Sequence, residues 1–113
     1  MTTTRQDSGD LLQGTLGILI LKSLLLGPAH GFAIARWVEE TTGDVLRIEE
    51  GSLYPALQRL QVKGWVRSEW RKTPNNRRAR YYTIAAEGRK QLGEEINSFD
   101  RVLVAIQRVL QTD

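Results

Sequence analysis

Covalent chemistry has few candidates in this chain. Its 113 residues include one histidine, His30, and no cysteine, which removes a thiol nucleophile, a thiolate metal site and a disulfide framework. There is no glycine-rich phosphate loop and no carboxylate pair at a working spacing. Neither an enzyme nor a cofactor is expected, and His30 lacks the co-ligands of a metal site. What the chain concentrates is positive charge. Residues 59–80 carry Arg59, Lys63, Arg67, Arg71, Lys72, Arg77, Arg78 and Arg80 against Glu69 alone, a net +7; residues 1–58 come to −3 and residues 81–113 to −1. A cationic block of this density in a chain of net charge +3 is the electrostatic footprint of a nucleic-acid partner. A solvated loop would look the same by charge alone, so the elements that carry the block decide between the two.

Those elements follow from periodicity. Residues 1–9 are polar and read as a flexible N-terminus. Asp10 can cap a first helix running to Leu26, which holds ten Leu or Ile in residues 11–26. That stretch is short of the ~20 residues a bilayer span needs and is interrupted by Gln13 and Lys22. Asp7 and Asp10 stand where a signal peptide would be basic, so it reads as a buried helix. A second helix fits Gly31–Thr42, with Ile34, Val38 and Thr41 on one stripe and Gly43 as its stop. Residues 45–48 could form a short strand. A third helix fits Ser52–Lys63, with Ser52 as N-cap, Pro55 in the first turn, and Leu53, Leu57 and Leu60 as its core stripe. The period then changes from 3.6 to 2. Trp65–Arg71 and Arg78–Ile84 alternate on either side of Thr73-Pro74-Asn75-Asn76, which is turn chemistry. A last helix fits Ala86–Gln111. Along it Leu92, Ile96, Phe99, Leu103, Ile106 and Leu110 recur at spacings of 4, 3, 4, 3 and 4, a heptad seam widened by Val102 and Val109.

The expected fold is therefore mainly α with a small β-hairpin: a winged helix-turn-helix over residues 10–85 and a C-terminal dimerisation helix over residues 86–113. If the leucines of the third helix point inward, Ser52, Tyr54, Pro55, Gln58 and Arg59 point outward, with Gln61 and Lys63 toward its end. Gln58 can pair with adenine through two hydrogen bonds, and Arg59 with guanine or a phosphate. Tyr54 offers a hydroxyl and a ring, and the helix N-terminus at Gly51-Ser52 offers N–H groups to a phosphate. Lys72, Arg77, Arg78 and Arg80 crowd the hairpin and its tip, where they would press on phosphates or enter the minor groove. Trp65 and Trp70 are expected in the hairpin core and Trp37 in the packing of the second helix.

The sequence resembles the PadR family of bacterial transcription regulators. The resemblance is carried by His30-Gly31-Phe32-Ala33-Ile34, Gly51-Ser52-Leu53-Tyr54-Pro55-Ala56-Leu57 with Arg59-Leu60, Gly64-Trp65-Val66, and Arg78-Ala79-Arg80-Tyr81-Tyr82. It covers residues 11–92, and the chain looks like the shorter subfamily with a single C-terminal helix. The resemblance implies a homodimeric repressor on palindromic promoter DNA, often released by a small-molecule effector; the absence of cysteine suits a reducing cytoplasm, where the protein is expected. The resemblance also implies that the last helix packs on the partner's first helix, which would engage Leu12, Leu16 and Leu19. Ser52, Tyr54 and Pro55 would approach DNA, with His30 and Phe32 near its backbone. Ala85 stands where the family usually has a capping threonine, three residues before Gly88, and a lost cap costs ~1 kcal/mol. Family members that bind planar aromatic drugs use tryptophans of the last helix; here Phe99 is that helix's only aromatic residue.

Two other readings use the same fold. A winged helix can be a protein–protein adaptor, against which the +7 block argues. It can also be an architectural DNA binder without sequence preference, against which Tyr54, Gln58 and Arg59 argue.

Overall fold

A computed structural model describes residues 15–113. The N-terminal segment 1–9, the Asp10 cap and Leu12 lie outside the described residues. Helix α1 occupies 15–24. Leu16, Ile20, Leu21 and Leu24 fall on one stripe of it and are fully buried, and the Ser23 hydroxyl satisfies itself on the Ile20 carbonyl at 2.7 Å. Lys22 and Leu26 are exposed. Among the described residues no helix is long and apolar enough to cross a membrane.

A two-residue strand follows, β1 (Ala29–His30), and leads into α2 (Gly31–Thr41). His30 is the N-cap of α2, its Nδ1 accepting the Ala33 N–H at 3.1 Å. Ile34 and Val38 are buried, but Thr41 faces solvent. The strand expected over 45–48 does not form. Thr42 ends α2 and its hydroxyl accepts the Leu46 N–H at 3.1 Å, so the backbone there is satisfied by a side chain, with only Ile48 buried.

Helix α3 spans Glu50–Val62 and starts two residues before the expected Ser52. Its N-cap is Glu49, whose carbonyl accepts the N–H groups of Ser52 and Leu53. Pro55 thus lies inside the helix and leaves the Gly51 carbonyl without its i+4 donor. Leu53, Ala56, Leu57 and Leu60 are buried against α1 and α2. At its end Gly64 takes φ +79°, its N–H bonds Gln61 and the Trp65 N–H bonds Leu60. This is the left-handed glycine termination that turns a chain sharply out of a helix.

That turn launches β2 (Val66–Lys72), which pairs antiparallel with β3 (Arg78–Ile84); β1 adds to the other side of β3, giving the order β1-β3-β2. The register places Val66 opposite Ile84, Ser68 opposite Tyr82, Trp70 opposite Arg80 and Lys72 opposite Arg78. These eight residues share one sheet face. At its base, Val66, Tyr82 and Ile84 are buried in the core. Trp70, expected in that core, is 55% exposed, because the face runs beyond the helices before it reaches this residue. Trp65 and Trp37 pack on the core as partly buried residues.

Helix α4 spans Ala86–Gln111, the expected bounds. Ala85 caps it with no side-chain hydrogen bond. Its N–H instead donates to the Trp65 carbonyl at 2.9 Å, and Gly88 passes so close to that carbonyl that a Cβ would lie 2.1 Å from its oxygen. Backbone contact with Trp65 anchors the start of α4, although it supplies no acceptor in place of a capping side chain. Leu92 is buried and Ile96 packs on the core. From Phe99 onward the helix stands clear: Phe99, Leu103, Ile106 and Leu110 are 40–77% exposed. Twenty-six residues make a helix of ~39 Å in a molecule that measures 57 × 31 × 23 Å.

Candidate nucleic-acid interface

A groove of about 750 Å³ opens between the start of α2, the side of α3 and the hairpin. One wall is His30, Gly31, Phe32 and Tyr54; the other is Trp70, Arg78, Arg80 and, from the tip, Thr73, Pro74, Asn75 and Arg77. The walls are set by the helix and hairpin geometry already described. Gly31 has no side chain because Tyr54 lies over it: a Cβ there would sit 2.8 Å from the Tyr54 hydroxyl oxygen and 3.0 Å from its ring. Tyr54 is thereby held across the mouth of α2, 45% exposed. Burial pushes the Tyr82 hydroxyl, deeper in the groove, above its usual range, and Arg80 offsets part of that rise.

The hairpin wall grades from apolar to basic. Beyond Val66, Tyr82 and Ile84 come half-buried Ser68 and Arg80, then exposed Trp70, then exposed Lys72 and Arg78. Arg80 Nε donates to Ser68 Oγ at 2.9 Å, and Ser68 Oγ donates to Gln61 Oε1 of α3 at 3.1 Å. Helix α3 and the hairpin are therefore joined by side chains. The tip closes through Thr73, whose N–H donates to the Arg77 carbonyl and whose hydroxyl accepts the Arg77 N–H at 3.2 Å, with Asn76 at φ +64°. Lys72, Arg77 and Arg78 have no acidic partner among the described residues. Arg71 is on the opposite sheet face, where it pairs with Glu69 at 2.8 Å and lies over the Tyr81 ring.

The residues singled out on α3 and at its C-cap divide four ways. Tyr54 lines the groove. Pro55 and Gln58 are exposed on the outer surface of the helix. Arg59 and Lys63 instead line a cleft of about 160 Å³ with Gly17, Ile18 and Glu95, on the side of α1 and α4, and the Lys63 ammonium sits 4.6 Å from the Trp65 ring centre. Ser52 is half-buried. At Gly51-Ser52, expected as a phosphate site, the Ser52 and Leu53 N–H groups bond the Glu49 carbonyl, and Glu50 stands in the first turn. His30 lines the groove while its Nδ1 caps α2 and its ring meets Tyr81 edge-on at 5.3 Å. Phe32, 65% exposed with the Arg36 guanidinium 5.8 Å from its ring centre, and Trp70 belong to the groove as well. Parity along β2 already marks Trp70, since it shares a face with Arg80. Of the residues expected at a dimer interface, Leu16 and Leu92 are buried in the chain's own core, Leu19 and Ile96 are half-buried, and the exposed remainder begins at Phe99. No group of three or more His, Cys, Asp or Glu comes together among the described residues.

Three helices followed by a basic hairpin, with a groove between the third helix and that hairpin, define a winged helix-turn-helix, a DNA-binding class. Residues 20–94, well over half the chain, match the PadR-like family of transcriptional regulators, and the chain belongs to it. It is similar to the solved PadR family transcriptional regulator of Eggerthella lenta, with 28% identity and a TM-score of 0.81 over 96% of this chain and 93% of that one. It is also similar to a transcriptional regulator of Clostridium thermocellum, with 26% identity and a TM-score of 0.80 over 88% of this chain and 96% of that one. An uncharacterized 37.1 kDa protein in a transposon of Streptomyces fradiae is 38% identical over 85 residues, which are 75% of this chain and 23% of that protein.

Proposed function

We propose that the chain is a cytoplasmic bacterial repressor that binds a palindromic promoter site as a homodimer. In this reading residues 10–85 form the DNA-binding unit and residues 86–113 the dimerisation helix. The observation that carries it is the hairpin face that starts in the core at Val66 and Ile84 and ends at Lys72 and Arg78, across the groove from Tyr54. Such a face fixes cations beside the recognition helix, where an adaptor has no use for them. Tyr54, Pro55 and Gln58 meet base edges or thymine methyls, with Ser52 beside them. Arg59 and Lys63 serve the backbone along the flank of α3, with His30 at the mouth of α2. Lys72, Arg77, Arg78 and Arg80 engage phosphates or the minor groove. Release by a small-molecule effector rests on the family resemblance.

Selection of bound sequences from random duplex DNA, followed by footprinting, tests the reading. Two half-sites about one helical turn, ~10 base pairs, apart are expected from a two-fold dimer. Tyr54→Ala and Gln58→Ala should each lower the preference for the selected site, by about 1–3 kcal/mol for a lost base contact, with an unchanged salt dependence. A single asymmetric half-site contradicts the dimer geometry. Binding without preference favours the architectural alternative, and no binding favours the adaptor.

Dimerisation follows from Phe99, Leu103, Ile106 and Leu110, together with Val102 and Val109, all exposed along one helix. Monomers rarely leave so continuous an apolar stripe to water. Sedimentation at micromolar concentration should give a species near twice 12.8 kDa. Phe99→Glu with Leu103→Glu should return it to the monomer mass, and a wild-type monomer would sink this part of the proposal.

A further inference from the structure

On the groove face of the hairpin Tyr82 is buried in the core, whereas Trp70 is 55% exposed and contributes little to it. Two guanidiniums pack on Trp70. The Arg78 carbon Cζ is 5.4 Å from its ring centre and the Arg80 Cζ is 5.5 Å away, both within the range of cation–π attraction. Register explains the cluster: Arg80 is directly opposite Trp70, and Arg78 is the diagonal neighbour on the same face. Arg80 is held from a second direction by Ser68, which Gln61 holds in turn. With Nε engaged on Ser68, the two terminal nitrogens of Arg80 remain available on a fixed guanidinium plane.

We infer that Trp70 is a positioning residue of the wing. Its indole face presents the Arg78 and Arg80 guanidiniums to the DNA in one arrangement, and the Gln61–Ser68–Arg80 chain sets that arrangement relative to the recognition helix. This rests on the DNA-binding reading above and deepens it. A guanidinium on a strand near a hairpin tip samples many rotamers, and each ordered long side chain costs entropy on binding. Packing on the indole removes part of that freedom before DNA arrives. The indole takes no share of the charge, so its loss separates presentation from neutralisation.

The test compares Trp70→Leu and Trp70→Phe in the full-length protein. Without DNA, the side-chain protons of Arg78 and Arg80 should be moved upfield in the wild-type NMR spectrum by the indole ring current, and Trp70→Leu should return them to ordinary positions. With the selected duplex, Trp70→Leu should bind about tenfold more weakly at an unchanged salt slope, because every cation is retained, and Trp70→Phe should recover most of the loss. In an Arg78→Ala/Arg80→Ala background, Trp70→Leu should have no further effect. Arginine protons unshifted in the wild type overturn the inference, as does a Trp70→Leu protein with wild-type affinity. A loss that persists undiminished in the double-alanine background also overturns it, and shows that the indole itself touches DNA. A wild-type protein that binds no duplex removes the DNA-binding reading and this inference together, an outcome distinct from normal wild-type binding with a silent Trp70→Leu.

Discussion

Gly88→Ala is expected to destabilise the protein by about 3 kcal/mol or more, the upper range for overpacking a tight contact. Helix propensity alone predicts the opposite, since alanine is better than glycine inside a helix by ~1 kcal/mol. Geometry decides the sign. The new Cβ would lie 2.1 Å from the Trp65 carbonyl oxygen and 3.0 Å from the Ile84 side chain, and a backbone oxygen cannot swing aside as a flexible side chain can. That carbonyl also accepts the Ala85 N–H, so moving it loosens both the start of α4 and the base of β2. Thermal denaturation should show a fall of roughly 10 °C or more for a chain of this length. Gly93→Ala in the same helix is the control. Gly93 is exposed with nothing within 4 Å of its virtual Cβ, so its replacement should raise stability by ~0.5–1 kcal/mol. A Gly88→Ala protein as stable as Gly93→Ala would mean that α4 does not sit on Trp65 as described.

Arg77→Ala with Arg78→Ala is expected to abolish most DNA affinity at moderate salt and to do so for any sequence. Each phosphate contact releases condensed counterions, at a log–log slope of about −0.9 per phosphate. Two cations per subunit, doubled in a dimer, should flatten the salt slope by roughly three to four units and weaken binding by about two orders of magnitude at low salt. Cognate and non-cognate duplexes should lose affinity alike, in contrast to Gln58→Ala. The exposure of both side chains means that folding should be unaffected, which circular dichroism can check. Unchanged affinity and slope would show that the hairpin is not a DNA-binding wing and would move the adaptor reading ahead.

Much of the fold was legible in the sequence because it is written in periods. The switch from 3.6 to 2 after Gly64 marked the hairpin to within a residue, and the heptad seam gave α4 its bounds. Features set by tertiary partners were not legible. The strand β1 exists only because β3 is there to pair with it. Residues 45–48 look strand-like but have no partner, so Thr42 takes their backbone hydrogen bond. Ser52 is a better capping residue than Glu49, yet the helix starts earlier, where the Glu49 carbonyl gathers two N–H groups.

The site shows the same division. The cations of the wing could be read from composition, but which of them share a face required the register. Arg71 looks equivalent to Lys72 in the sequence and lies on the opposite side of the sheet, paired with Glu69. Arg59 and Lys63 follow the helical wheel to the flank of α3 beside Glu95. Leu92 belongs to the heptad by spacing and to the chain's own core by position, because α4 is still lying on that core at this point and leaves it only after Ile96.

The graded face of the hairpin constrains how this protein can change length. Alternation has a period of two, so one inserted residue within β2 between Val66 and Trp70 would turn Trp70 and Lys72 to the far side while leaving Val66 in the core. A second insertion would bring them back, one pleat farther from the body. Drift in strand length is therefore tolerable only in pairs, whereas the turn closed by Thr73 and Asn76 can absorb any number of residues without disturbing the parity below it. Insertions among functional relatives should be found at the tip, and any that fall in the strands should be even.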